Sequence, residues 1–102
     1  MKEETILRKQ VLKYLQHVRE ETGKCVWIYV PQDYVTAGIP DIVGCAKGKF
    51  FAIELKTPKK NRGKLTLMQV LTLDDIGVAG GYRTVAKTLL EVKKFMERIL
   101  HD

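Results

Sequence analysis

Asp41 and the triplet Glu54-Leu55-Lys56 are the residues whose types and spacing suggest chemistry. Both sit among apolar residues: Ile42 and Val43 follow the aspartate, and Phe50 to Ile53 precede the glutamate. Buried carboxylates are costly unless compensated, and two like charges directly opposite in a sheet repel. A divalent cation removes both objections. Mg²⁺ is hard, prefers oxygen ligands and is usually held by one or two carboxylates with waters and phosphate oxygens. Such an ion acidifies water and neutralises charge on a phosphodiester. Lys56 could position or help deprotonate the water, or stabilise a pentacovalent phosphate.

The elements that would bring these groups together can be read along the chain. Asp41–Cys45 and Lys49–Lys56 read as strands joined at Lys47-Gly48. If those two residues form the turn, Ala46 faces Lys49, Cys45 faces Phe50, Val43 faces Ala52 and Asp41 faces Glu54. Opposed residues share a face, and Lys56, two residues beyond Glu54, shares it too. A slip of one residue would send the two acids to opposite faces. The plainer account makes Asp41 a turn acid after Pro40, and Glu54 and Lys56 an ion pair at a strand end.

Around this hairpin the pattern is α-β-β-β-α-β-α. Glu3 to about Arg19 is helical, with Leu7, Val11, Tyr14, Leu15 and Val18 in one stripe and Gly23 as a stop. Cys25–Val30 reads as a strand ended by Pro31. Thr66 with Gln69 forms a capping box for a helix running to about Ile76, which Gly77 would end. Tyr82–Ala86 is a short strand. Thr88 with Glu91 forms a second capping box, opening a helix with Leu89, Val92, Met96 and Ile99 on one side and Phe95 at the stripe's edge. The hairpin strands are apolar on both faces, so helices are expected to cover a mixed sheet on both sides. The 102 residues are expected to form a single domain spanning 1–102.

Composition narrows the function classes. No apolar run reaches the length of a membrane span and no leader is evident, so a soluble cytoplasmic protein is expected. Cys25 and Cys45, with only His17 and His101 as possible partners, offer no zinc spacing and read as reduced core thiols. The net charge of +6 favours an anionic partner, nucleic acid first. Lys56, Lys59, Lys60, Arg62 and Lys64 fall within nine residues without an acid. They are either a solvated loop or a set of phosphate contacts giving affinity without sequence preference. Trp27 reads as core and His17 as solvent-facing, while Tyr29, Gln32 and Tyr34 could touch DNA or pack.

In order along the chain, Gly38-Ile39-Pro40-Asp41, twelve further residues and Glu54-Leu55-Lys56 resemble the signature of the PD-(D/E)xK nucleases. More closely, the chain resembles the stand-alone VRR-NUC proteins of phages and prophages. That likeness takes in Glu4 with Lys9–Leu15, Gly38–Gly44, Phe51–Pro58, Gly63–Thr66 ahead of Gln69, and Gly80–Arg83. The resemblance implies a restriction-endonuclease-like core and cleavage of DNA phosphodiester bonds in a bacterial or phage-infected cell. It implies Mg²⁺ or Mn²⁺ on Asp41, Glu54 and the Leu55 backbone carbonyl, with Glu4 reaching the metal directly or through water. Lys56 would be the catalytic lysine and Gln69 a supporting residue. Stand-alone members resemble homodimeric Holliday-junction resolvases, so a homodimer acting on junction or branched DNA is the expectation. The alternative is a DNA-binding module without catalysis. Two residues keep plainer readings beside these: Gln69 as the N3 arm of its capping box, and Glu4 (with Glu3) as an acid complementing a helix N-terminus. One departure stands out. Family members follow the lysine more directly with a Gly-Lys-Leu-Ser-type segment, and here Lys59-Lys60-Asn61-Arg62 lengthens that loop.

Overall fold

The structure is a computed structural model and describes residues 3–32, 35–57 and 64–102. Its elements are α1 (Glu3–Glu21), β1 (Val26–Tyr29), β2 (Ile42–Ala46), β3 (Lys49–Leu55), α2 (Leu67–Val78), β4 (Tyr82–Ala86) and α3 (Leu89–His101). The four strands form one mixed sheet in the order β1-β2-β3-β4, antiparallel up to β3 and parallel between β3 and β4. Among the described residues no helix is long and apolar enough to cross a membrane.

The β2–β3 register is the expected one. Ala46 pairs with Lys49, Cys45 with Phe50, Val43 with Ala52 and Ile42 with Ile53. Lys47 (φ +50°) and Gly48 (φ +83°) both take left-handed backbone. That is the pattern of a type I′ turn, whose twist matches that of the flanking strands.

One face of the sheet is fully covered. Val26, Ile42, Ala46, Phe51, Ile53, Leu55 and Ala86 meet Leu7, Val11, Leu15 and Val18 of α1 and Val92, Phe95, Met96 and Ile99 of α3 in a single core. Phe95 is a full member of it, buried and edge-on to Phe51 with ring centroids 6.5 Å apart. Its expected place at the stripe's edge is corrected because α3 meets both α1 and the sheet, which widens the buried stripe.

The opposite face is only partly covered, contrary to expectation. Here α2 packs against β4, and its one fully buried side chain is Leu73. Among the described residues no helix lies over the β1 and β2 part of this face, which carries Trp27, Tyr29, Val43 and Cys45. Trp27 is therefore 56% exposed rather than core, and Cys45 is half-buried. Cys25, just before the edge strand β1, is exposed. Both thiols are free, but neither is a core residue. His17 is exposed and pairs with Glu21 at 3.1 Å.

Two helix ends differ from expectation for local reasons. Gly77 lies inside α2, which continues to Val78 and caps at Ala79, and Gly80 takes the positive φ of +95°. A Cβ at Gly77 would lie 2.6 Å from the Arg83 guanidinium carbon, so this glycine makes room for an arginine rather than ending a helix. At α3 the Thr88 hydroxyl accepts from the Glu91 N–H, but the Glu91 carboxylate accepts from the Lys87 N–H at 2.6 Å. The reciprocal bond thus falls one residue before the cap, and the second capping box is not of the strict form.

Candidate active site

The site lies where β3 ends, between the first turns of α1 and α2. Asp41 immediately precedes β2, and the register carried one step past Ile42 and Ile53 sets it opposite Glu54. Asp41 Oδ2 accepts the Leu55 N–H at 2.7 Å, so its side chain takes the next ladder position beyond the backbone pairs. A strand residue sends its N–H and C=O toward the same neighbour. The Leu55 carbonyl therefore also leaves on the β2 side. Lys56, whose N–H donates to the Ala86 carbonyl at 3.0 Å, is turned toward β4 by its backbone. Its ammonium is close enough to pull the Glu54 carboxyl back toward ionisation.

Gly38 and Pro40 prepare the approach of Asp41. Gly38 has φ +85°, and a Cβ there would lie 2.5 Å from the Met68 carbonyl oxygen. Only glycine lets this segment press against the first turn of α2. Pro40 is buried.

Gln69 makes two sets of hydrogen bonds at once. Its Oε1 accepts the Thr66 N–H at 2.9 Å, and its own N–H donates to the Thr66 hydroxyl oxygen, completing the capping box. Its Nε2 donates to Glu54 Oε1 at 3.0 Å. A backbone N–H must meet oxygen, which fixes which way the amide points. The cap therefore aims the amide at the carboxyl.

Glu54 is 3% exposed, and its carboxyl is pushed from 4.5 up to about 8. Burial is the largest cause, followed by the charge of Asp41 and a hydrogen bond with it, and then by the charge of Glu4, while Lys56 opposes them. In the metal-free protein Glu54 thus keeps its proton at neutral pH. This environment suits a hard cation, which would relieve the same repulsion that raises Glu54. Among the described residues no three His, Cys, Asp or Glu side chains gather closely enough to hold an ion together. Asp41, Glu54, the Leu55 carbonyl and solvent would together make a donor set of the kind that fits Mg²⁺ or Mn²⁺.

Glu4 is half-buried in the first turn of α1 and acts on Glu54 through its charge without joining that pair. With Glu3, which is exposed, it also supplies the acidic first turn that complements the helix dipole. One turn later Arg8 reaches Asp41 Oδ1 at 3.6 Å. Sequence reasoning passed over Arg8. The available signal was its position four residues after Glu4, on the same helix face. Lys64 is exposed, whereas Lys59, Lys60 and Arg62 lie outside the described residues, as does Tyr34.

The sheet and the three helices define an α/β domain with the order α-β-β-β-α-β-α. No protein-family model and no curated protein matches the sequence. A solved structure described as a VRR_NUC domain is similar to this chain with a TM-score of 0.64. The match covers 87% of this chain and 92% of that one, at 21% identity. The fold is therefore that of a VRR_NUC domain, as the motif resemblance led one to expect.

Proposed function

We propose that the protein is a metal-dependent DNA endonuclease that hydrolyses phosphodiester bonds. The observation that supports this best is the pairing of Asp41 with Glu54 on one sheet face, with Lys56 two residues further along that face. The likeness to a VRR_NUC domain supports the same reading.

In this reading Asp41, Glu54 and the Leu55 carbonyl hold Mg²⁺ or Mn²⁺. The cation, when bound, supplies Lewis acidity toward water and the phosphodiester. The protein's own groups do the rest. Gln69 holds Glu54 in one orientation through an amide that its own helix cap has fixed. Glu4, half-buried at the edge of the site, reaches the metal directly or through water. Arg8, half-exposed beside Asp41, offers a guanidinium to a phosphate oxygen. Lys56 holds the attacking water or stabilises charge developing on phosphorus. Lys59, Lys60, Arg62 and Lys64 contact the backbone of the DNA.

A homodimer acting on junction or branched DNA fits the surface of α2. Contiguous apolar side chains left in solvent mark interaction surfaces. Here Leu67, Met68, Leu71 and Val78 are exposed. Sedimentation of the purified protein tests the dimer, with Leu71→Lys expected to favour the monomer. A cytoplasmic location goes with this function.

The deciding assay incubates supercoiled plasmid and a synthetic four-way junction with Mg²⁺, Mn²⁺ or EDTA. Cleavage with either metal and none in EDTA is expected. Asp41→Asn and Lys56→Ala should each abolish it while keeping fold and most DNA affinity. Tight DNA binding without cleavage under both metals would make the protein a binding module instead.

A further inference from the structure

The uncovered part of the sheet face holds two aromatic side chains that no step above uses. Trp27 and Tyr29 are two residues apart on β1 and so share a face. Their rings are parallel within 4°, with centroids 5.9 Å apart, and they are 56% and 51% exposed. The sheet register ties them to the site. Trp27 pairs with Cys45, which pairs with Phe50, and Tyr29 pairs with Val43, which pairs with Ala52. The next row on the same face is Asp41 with Glu54, about 7 Å further along the strands.

We propose that Trp27 and Tyr29 form a stacking platform for unpaired bases, which makes single-stranded DNA adjoining a duplex the preferred substrate class. This deepens the nuclease reading and rests on it. Three observations favour nucleic acid over a protein partner. The rings are planar and parallel, which matches bases, whose π-faces stack on aromatic side chains without regard to sequence. Among the described residues, the rows of this face between the rings and the carboxylates hold Val43, Cys45, Phe50 and Ala52, none of them an acid that would repel a phosphate chain. The chain as a whole carries +6, and Arg8 and Lys56 stand where such a strand would arrive. The aliphatic surface suited to a second copy of this chain lies elsewhere, on α2. Within a duplex the base faces are stacked on one another and only a terminal pair offers one, so the aromatic pair discriminates by strand pairing.

Trp27 is the single tryptophan, so its emission reports occupancy directly. The protein is titrated in EDTA with oligothymidylate and, separately, with a closed hairpin duplex of equal phosphate count. Saturable quenching by oligothymidylate and much less by the hairpin is expected. Trp27→Ala and Tyr29→Ala, read by anisotropy of a labelled oligonucleotide, should each weaken single-strand binding roughly tenfold. Trp27→Phe, which keeps a π-face, should restore most of it. With metal added, wild type should prefer a flapped duplex over a blunt one, and Trp27→Ala should lose that preference. Equal quenching by both DNAs, or unchanged single-strand affinity in Trp27→Ala, overturns the proposal. So does a Trp27→Ala protein that changes from dimer to monomer with its DNA selectivity intact, since the rings would then serve a copy interface. The nuclease reading fails separately: it predicts cleavage, and its failure is no cutting with the quench preserved.

Discussion

Replacing Glu54 by Gln should flatten the stability of the metal-free protein between pH 5 and pH 8. In the folded chain Glu54 is buried against Asp41 and titrates at about 8, against 4.5 without that environment. Between those values the folded state binds a proton that the unfolded state has released. Its stabilising effect is complete below 4.5 and is lost as pH rises through about 8. Each pH unit inside the window costs about 1.4 kcal/mol, so the whole fall is on the order of 5 kcal/mol. That is comparable with the entire stability of a small domain. The glutamine amide does not titrate. It keeps an oxygen for the Gln69 Nε2 donor and gains an amide hydrogen to offer Asp41. All other titrating groups are the same in the two proteins, so their difference isolates this one. Urea unfolding in EDTA at pH 5, 7 and 9 measures it. Wild type should weaken progressively relative to Glu54→Gln, with unchanged m-values. A difference between the two proteins that stays constant within about 1 kcal/mol across that range would refute the account of the raised Glu54 carboxyl.

Further outcomes follow from the same geometry. At pH 8 Mg²⁺ or Mn²⁺ should raise the melting temperature of wild type by mass action, and Asp41→Asn should show little of that rise in a thermal scan. Gly44→Ala should cost about 1–3 kcal/mol by denaturant titration, because a Cβ there would lie 2.2 Å from the Trp27 carbonyl oxygen and 2.5 Å from the Phe51 ring. Replacing Lys59, Lys60 and Arg62 by Ser should weaken binding to unrelated DNA sequences alike and flatten the dependence of affinity on salt, measured by anisotropy.

Much of the frame was legible in the residues themselves. Turn chemistry is local, so Lys47-Gly48 between two apolar runs was enough to fix the hairpin register. That register in turn sets Asp41 opposite Glu54. Thr66 and Gln69 announced their capping box for the same reason, since every atom it needs lies within four residues. The element order came from hydrophobic periodicity, which reports which residues share a side.

Periodicity does not report what covers that side. Trp27, Tyr29 and Cys45 share a face with Glu54, but only the docking of α2 over β4 decides that Glu54 is buried while the rings stay open. The placement of Gly77 under Arg83 and of Phe95 against Phe51 likewise depends on how helices meet the sheet. So does the reach of Arg8 across 33 residues of sequence to Asp41. The double use of Gln69, cap on one side and carboxyl anchor on the other, needed both partners in space. The types of the chemical groups and their strand register were properties of the sequence. Their burial, their charge balance and the open aromatic surface beside them were decided by packing, because solvent exclusion is set by neighbours distant along the chain.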